Sequence, residues 1–543
     1  MYINDGVEEN LRFLILEVHK QLERTIAYIH SPSPEGLKNV LIRDNYIDNL
    51  KTVIQRKCFT SAASQDVKHV DALKAINIVA SNLEQIADFC ENILRQLTYI
   101  EDEDILEQYD FDELFHAVLE GVSLIPEAIF DGNESTAISI CRIETKIDDL
   151  YAERFQTILN ELKSGKKTQS LITTIFIARY LERMGDSLLN IGEAAISVFL
   201  GERIKIEQLD ALRDTLEAAD LNPDISDLSL STMDETKSGC KIDLVSGNLN
   251  DDGATMVIFK EGHRDKLERE KAGVAYWDSM MPGLAPTVYA HHQAEGSAAI
   301  LFEYLSGNTF EEILLNGSDA ELDMALDSLV ETMSKVWLKT KRTGESPVDF
   351  VGQIRSRLND IYAVHPEYAD TGAILGNIDI PSFENLLDQA GEIENMQAVP
   401  FSVLVHGDLN IDNIIFDSKK KRIRFIDLHR SSYGGYVQDI SVFMVSNFRL
   451  QGLDAPIRKR IGRVVRNFHA HTAELANGFE DKGFEVRLGL GLARSFLTST
   501  RFVLENEPAR DMLLRARYLL ESITRLTPGQ LKKYRVPEEI LYD

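Results

Sequence analysis

The chain has 543 residues, 58 basic against 87 acidic, for a formal net charge of −29. With 44% apolar residues, 14 Pro and 32 Gly it is an ordinary globular composition, neither disordered nor fibrous. The acidic surplus argues against nucleic acid or an anionic membrane as partners, because no Lys/Arg excess exists to displace counterions. Cys58, Cys90, Cys141 and Cys240 lie far apart, with no CxxC or zinc spacing, and predict a reduced, intracellular protein with buried or idle thiols. Met1 to Asp5 lack a basic region followed by an apolar one, and the longest apolar run, Leu171 to Ala178, is too short for a membrane span. The expectation is a cytoplasmic protein that meets a membrane only through a partner.

Residues 1–204 read as helix after helix. Apolar residues recur at three- and four-residue steps in Leu11-Leu14-Ile15-Val18, Ile76-Val79-Leu83-Ile86 and Ile172-Ile175-Tyr180-Met184. Turn chemistry punctuates them at Ser31-Pro32-Ser33-Pro34, Asp131-Gly132-Asn133 and Ser164-Gly165. Residues 205–239 are acidic and turn-rich, with Asp220, Asp224, Asp227, Asp234 and Glu235 around Pro223 and Gly239; they predict a linker with one helix near Leu209 to Ala219. From residue 240 onward strand-like runs appear, Met256-Val257-Ile258-Phe259 and Ala299-Ile300-Leu301-Phe302. A hairpin follows around Ile414-Ile415-Phe416 and Ile423-Arg424-Phe425-Ile426, and long helical patterns fill the rest.

The helical region repeats itself. Asp44-Asn45-Tyr46-Ile47-Asp48-Asn49-Leu50 returns 100 residues later as Glu144-Thr145-Lys146-Ile147-Asp148-Asp149-Leu150. Leu83-Glu84-Gln85-Ile86-Ala87-Asp88 returns as Leu181-Glu182-Arg183-Met184-Gly185-Asp186. A duplicated three-helix unit follows. Each segment carries an acidic pair at i and i+4: Asp44/Asp48, Glu84/Asp88, Glu144/Asp148 and Glu182/Asp186. Like charges so placed repel on a helix, and a hard divalent cation would remove the repulsion. Carboxylate-only ligation favours Mg, Mn or Fe, with Zn as a further candidate. The alternative is four solvated acidic faces on a chain rich in acids.

These duplicated helices, above all Ala178-Arg179-Tyr180-Leu181-Glu182-Arg183-Met184-Gly185-Asp186 with Asn190-Ile191, resemble the PhoU family of phosphate-signalling helical proteins. The resemblance implies two three-helix bundles, acid-bound metal clusters, and regulation of phosphate uptake or phosphate-responsive signalling. It also suggests partners: a phosphate transporter or a sensor histidine kinase. The first repeat departs by having Ala87 where the second has Gly185.

The sharpest signal lies further on, in His406-Gly407-Asp408-Leu409-Asn410-Ile411-Asp412-Asn413, followed by the hairpin ending Phe425-Ile426-Asp427. Phosphoryl transfer needs an Asp to meet the attacking hydroxyl, an Asn five residues on to face a metal, and a second Asp beyond a strand to bridge the nucleotide phosphates through it. Upstream, Lys260 ends a strand-like run, where a cation is needed for the α/β-phosphates. Glu270 follows on a helical stretch as its orienting partner, with Glu268 as the rival. The run Leu301-Phe302-Glu303-Tyr304-Leu305-Ser306-Gly307 places the backbone of Glu303 and Leu305 where an adenine ring would be met. Ser246-Gly247-Asn248 and Asp251-Asp252-Gly253 are too sparse for a phosphate-covering glycine loop, and no GxxxxGK[ST] occurs.

With these residues the second half resembles the aminoglycoside phosphotransferase/choline kinase family. The resemblance implies an α+β, protein-kinase-like, two-lobed fold, with a small lobe over about 240–305 and a large lobe over about 306–543. It makes Asp408 the catalytic acid/base, Asn413 and Asp427 the magnesium ligands, His406 a structural member of the loop, and Asp439 a helix-start capping residue. Asp427-Leu428-His429-Arg430 departs from the aromatic and glycine that many relatives carry, and leaves the acceptor open. The combined expectation is a homodimeric fusion of a PhoU-like regulatory domain and an ATP- and Mg-dependent kinase for a small-molecule hydroxyl. Its rival is a non-catalytic regulator whose kinase-like half senses a nucleotide or ligand.

Overall fold

The computed structural model describes residues 5–62, 67–102, 104–200, 204–219, 221, 223, 228–235, 240–250, 253–293, 296–346, 349–369, 372–397, 399–450 and 454–541. They form two compact units: residues 1–261 with 290–301, and residues 262–289 with 302–543.

The first unit opens with helices α1 (Asp5–His30), α2 (Pro34–Ala62) and α3 (Val67–Leu97). After the one-turn α4 (Asp104–Gln108), α5 (Asp112–Phe130), α6 (Glu134–Leu162) and α7 (Thr168–Leu200) repeat the arrangement. Each triplet packs internally, and α3 lies along α7 to join the two, as the duplicated sequence requires. Leu11, Leu14, Val18, Ile76, Val79 and Leu83 are all buried, so in those two runs the three- and four-residue spacing marks the core face; in the third run Ile172 is exposed, Ile175 and Tyr180 are half-buried, and Met184 alone is buried. Asn133 caps α6, its side chain accepting the N–H of Thr136 at 3.1 Å. The four cysteines are buried and free.

The segment 205–239, expected as a linker, is structured where it is described. It holds α8 (Ile206–Glu217) and strand β1 (Leu228–Glu235). Leu209, Leu212 and Leu216 are buried along one face of α8, and Leu228 and Leu230 alternate inward from β1. Asp220, Asp224, Asp227 and Gly239 lie outside the described residues. Strand β1 edges a five-stranded sheet with β2 (Lys241–Asn250), β3 (Gly253–His263), β4 (Val288–Gln293) and β5 (Ser297–Glu303), in the order β1-β2-β3-β5-β4. Pairing of β1 with β2 and of β2 with β3 is antiparallel. Leu230, Val245, Val257, Phe259 and Leu301 belong to the same continuous apolar core as the helical bundle, and β1 packs on α7. That shared core explains why most of the small-lobe sheet falls with the helices instead of with the rest of the expected kinase region. Asp251 and Asp252, expected in a poor glycine loop, lie outside the described residues.

The second unit begins with α9 (Arg264–Met280). The chain then runs through β6 (Asn308–Thr309), α10 (Phe310–Asn316), α11 (Asp319–Thr340), β7 (Arg342–Ser346), α12 (Phe350–Arg355), α13 (Leu358–Val364), β8 (Ala373–Leu375), β9 (Ile378–Ile380) and α14 (Phe383–Asn395). Then come β10 (Val399–Val405), the hairpin β11 (Ile414–Asp417) and β12 (Arg422–Phe425), and β13 (Ser432–Gly434). Helices α15 (Val437–Phe448), α16 (Ala455–Gly478), α17 (Phe484–Ser499), α18 (Asn506–Thr524) and the short α19 (Pro528–Leu531) complete it. Small antiparallel sheets, β13-β10-β7 and β12-β11-β6, frame the loop between β10 and β11. Helix α17 is buried over nearly its whole length, against α15 and α18. No helix among the described residues is long and apolar enough to cross a membrane.

Candidate active site

The loop His406–Asn413 leaves the end of β10 and enters β11 through a 3-10 turn at Ile411–Asn413. Its entry is fixed from below. The buried Asp439 carboxylate accepts the backbone N–H of His406 at 2.8 Å and of Gly407 at 2.9 Å. Burial pushes the Asp439 carboxyl up to about 7, against the lowering effect of those two N–H groups. The expected helix-capping role is therefore corrected: Tyr436, not Asp439, stands at the start of α15, and Asp439 holds the loop.

His406 is fully buried, and burial lowers its pKa below the usual imidazole range. Its Nε2 lies 3.0 Å from the Ile426 carbonyl and its Nδ1 accepts the Asp408 N–H at 3.3 Å, which assigns the neutral Nε2–H tautomer. One imidazole thus ties the Asp408 loop to the residue preceding Asp427. Gly407 has φ +84°, and a Cβ there would overlap the carbonyl oxygen of Arg430. The two segments approach so closely that only glycine fits.

Three oxygen-bearing side chains are positioned by these contacts. Asn413 donates from Nδ2 to the Asp408 carbonyl at 2.9 Å, so its Oδ1 is the side-chain atom not used in that bond. Asp427 sits in the left-handed region, φ +59°, at the hairpin exit, with its Oδ1 at 3.1 Å from His429 Nδ1. Asp408 is half-buried. Its Oδ1 accepts from Asn410 Nδ2 at 3.0 Å, and its Oδ2 pairs with Arg430 Nη1 at 3.1 Å. Arg449 Nη2 in turn donates to Asn410 Oδ1 at 2.6 Å. Asp408, Asn413 and Asp427 are brought together by backbone and His406; an all-oxygen set of this kind fits a hard divalent cation such as magnesium.

The remaining kinase-region residues fall as follows. Lys260 is buried near the end of β3 in the first unit. Glu270 is buried on α9 in the second unit, while its rival Glu268 is only half-buried. Glu303 uses its side chain structurally: Oε1 accepts from Arg424 at 2.6 Å, and Oε2 accepts from the Thr287 N–H and hydroxyl, both at 3.1 Å. Burial raises its pKa, but these donors outweigh burial and hold the carboxyl below its ordinary value. Leu305 is buried.

In the helical region the four acidic pairs lie on α2, α3, α6 and α7. Burial first, then Asp88, Glu91 and Glu84, push Asp44 up to about 6; burial and Glu84 push Asp88 to about 6 despite Lys51. Glu144, Asp148 and Glu182 are raised by burial first and then by neighbouring acids, Asp148 and Asp186 foremost. Asp44 Oδ1 and Glu182 Oε2 are buried without a hydrogen-bond partner. Oxygen donors that repel one another and orphan a buried atom fit a divalent cation. Basic side chains already meet part of the set: Lys51 lies 2.7 Å from Glu84 and 3.2 Å from Asp48, Arg179 pairs with Glu182, and Arg183 lies 3.6 Å from Asp186. Among the described residues, no three His, Cys, Asp or Glu converge as a ready metal-holding group. Glu91 was missed from sequence; its signal is the spacing Glu84, Asp88, Glu91 along one face of α3.

Comparison with known proteins matches the PhoU domain family to residues 12–97 and 111–195, and the ecdysteroid kinase-like family to residues 364–475. A phosphate-specific transport system accessory protein PhoU homolog of Borreliella burgdorferi is 24% identical over 201 residues, covering 35% of this chain and 89% of that protein. Among solved structures, a Plasmodium vivax ethanolamine kinase aligns over 58% of this chain and 87% of its own, at 14% identity and TM-score 0.35. An aminoglycoside-3'-phosphotransferase of type VIII aligns over 59% of this chain and 99% of its own, at 16% identity and TM-score 0.32. The chain thus joins an N-terminal PhoU domain to a C-terminal kinase-like domain of the ecdysteroid kinase-like type.

Proposed function

We propose that the chain is an ATP-dependent phosphotransferase acting on a hydroxyl of a small molecule, with its PhoU domain regulating phosphate uptake or phosphate-responsive signalling. The observation that carries the reading is the set Asp408, Asn413 and Asp427, held by His406 between two segments. Asp408 would take the proton of the attacking hydroxyl, and Asn413 Oδ1 and Asp427 would hold magnesium. Magnesium, when bound, supplies neutralisation of the charge that develops on the transferring phosphoryl group. Lys260 is assigned to the α/β-phosphates, Glu270 to orienting it, and the Glu303–Leu305 backbone to the adenine. Asp44, Asp48, Glu84, Asp88, Glu144, Asp148, Glu182 and Asp186 would hold divalent metal in the PhoU domain. The proposed setting is a cytoplasmic homodimer contacting a phosphate transporter or sensor kinase.

A second reading, a nucleotide or ligand sensor, draws support from Asp408 itself: both its oxygens are engaged, by Asn410 and Arg430. Calorimetric titration of ATP with and without magnesium, on wild type beside Asp427→Ala, tests the nucleotide site. Magnesium-dependent binding that disappears in the variant is expected; no binding to well-folded wild type would remove the kinase and the nucleotide sensor and leave a sensor of another ligand. Phosphate transfer to any acceptor then separates kinase from sensor.

A further inference from the structure

Around Asp408 the charge is unusual for a site that would bind a neutral or cationic alcohol. Arg430 pairs with Asp408 Oδ2 at 3.1 Å while half its side chain stays exposed. Arg494, on α17, is only 8% exposed, and its Nε and one terminal nitrogen are buried with no hydrogen-bond partner. The Phe350 ring lies 5.4 Å from its guanidinium carbon. Arg501, in the turn after α17, likewise buries an unpartnered Nε, and its terminal nitrogen reaches Asp360 only at 3.7 Å. Asp360 is shared with Arg357 at 3.6 Å, so it does not neutralise Arg501 alone.

Burial lowers Arg494 to about 10, with Arg430 adding to the shift and Asp408 and Asp439 opposing it. Burial, Arg357 and Arg430 lower Arg501, again against Asp360 and Asp408. Asp408, and not the metal-side Asp427, is the carboxylate that acts on both. Burying guanidinium N–H groups without acceptors is costly, and repulsion among the cations adds to that cost. A doubly charged oxyanion answers both, because guanidinium forks match phosphate oxygens two at a time.

We propose that Arg430, Arg494 and Arg501 form the acceptor subsite, and that the alcohol phosphorylated here already carries a phosphomonoester. This deepens the kinase reading and rests on it. In the step itself the acceptor oxygen bonds to the γ-phosphorus as its proton passes to Asp408. The bond from that phosphorus to the β,γ-bridging oxygen breaks, and ADP leaves with the electron pair. The arginines hold the acceptor's existing phosphate and thereby aim its hydroxyl at Asp408.

The test is calorimetric titration of the full chain, saturated with Mg-ADP, with glucose 6-phosphate and glycerol 3-phosphate beside glucose and glycerol. Wild type, Arg494→Gln and Arg430→Gln are compared; the exposed Arg430 keeps the test open should the buried Arg494 variant fail to fold. Binding of a phosphomonoester but not of its neutral parent, weakened at least tenfold in each folded variant, is expected. No phosphomonoester binding to wild type, equal binding of the neutral alcohols, or undiminished binding in Arg430→Gln overturns the proposal. Failure of wild type to take up Mg-ADP is seen in a separate titration and overturns the kinase reading itself.

Discussion

The carboxylate of Asp439 reaches from α15 to His406, accepting its backbone N–H at 2.8 Å, and holds the neighbouring Gly407 N–H at 2.9 Å. Asp439 is fully buried, so bulk solvent does not reach these bonds. Asp439→Ala leaves two buried N–H groups without an acceptor, at about 1–3 kcal/mol each. Denaturant unfolding is expected to show a loss of at least about 2 kcal/mol. An unchanged midpoint would mean that the loop is held by other contacts.

Asp408 and Asp427 are expected to separate in their effects. Asp408→Asn preserves shape and the Asn410 contact while removing the proton acceptor, so turnover should fall by roughly 10²–10⁴-fold. Affinity for Mg-ATP should stay within about twofold. Asp427→Ala should instead lower that affinity directly. Equal losses of affinity in both variants, measured by titration, would sink the assignment of roles.

Asp44 and Asp88 both hold their protons up to about pH 6, above the ordinary aspartate value near 4 of the unfolded chain. A raised carboxyl binds more protons folded than unfolded, so stability is greatest below about pH 4 for these groups and falls as pH rises through about 6. Metal-free protein should therefore lose melting temperature from these sites between pH 4.5 and 7, and added Mn²⁺ should restore more of it at pH 7.5 than at pH 5. The effect should shrink in Asp44→Asn. Thermal melts across that range with and without Mn²⁺ decide it; a cation response independent of both pH and Asp44 would refute the site.

Gly273 lies inside α9, where alanine ordinarily stabilises by about 1 kcal/mol. A Cβ there would overlap the carbonyl oxygen of Leu428, the residue after Asp427. Overpacking against rigid backbone costs about 1–3 kcal/mol and pushes the Asp427 turn outward. Gly273→Ala is expected to destabilise the protein and weaken Mg-ATP binding together. A more stable variant with normal binding would show that α9 has room to move.

Much of the site was legible because its spacing is local. His406 to Asn413 lie on one loop, and the hairpin from Ile414 to Phe425 fixes how Asp427 returns to it. The duplicated acidic helices were legible for the same reason: a repeat announces itself in one dimension. Asp439 was recognised but given the wrong task, since its partners lie 32 and 33 residues away and backbone N–H groups leave no mark in a sequence. Arg494 and Arg501 were invisible, being single basic residues in a strongly helical stretch far from Asp408. Strand β1 was missed because Leu228 and Leu230, which alternate inward, stand among acids that read as linker.

One side of the five-stranded sheet is filled by helices of the first unit: Leu230, Val245, Val257 and Phe259 share one core with Leu209 and Leu212 of α8 and with the helical bundle before it. Dissection of this chain at residue 205 or 240 would therefore strip a sheet of its backing and yield an insoluble or molten fragment instead of a free-standing catalyst. Proteolysis should reveal the same bond, cleaving the exposed loops well before it parts the sheet from the bundle. A change in the bundle's packing is therefore expected to reach strand β3 and its Lys260 through Phe259 and the core they share.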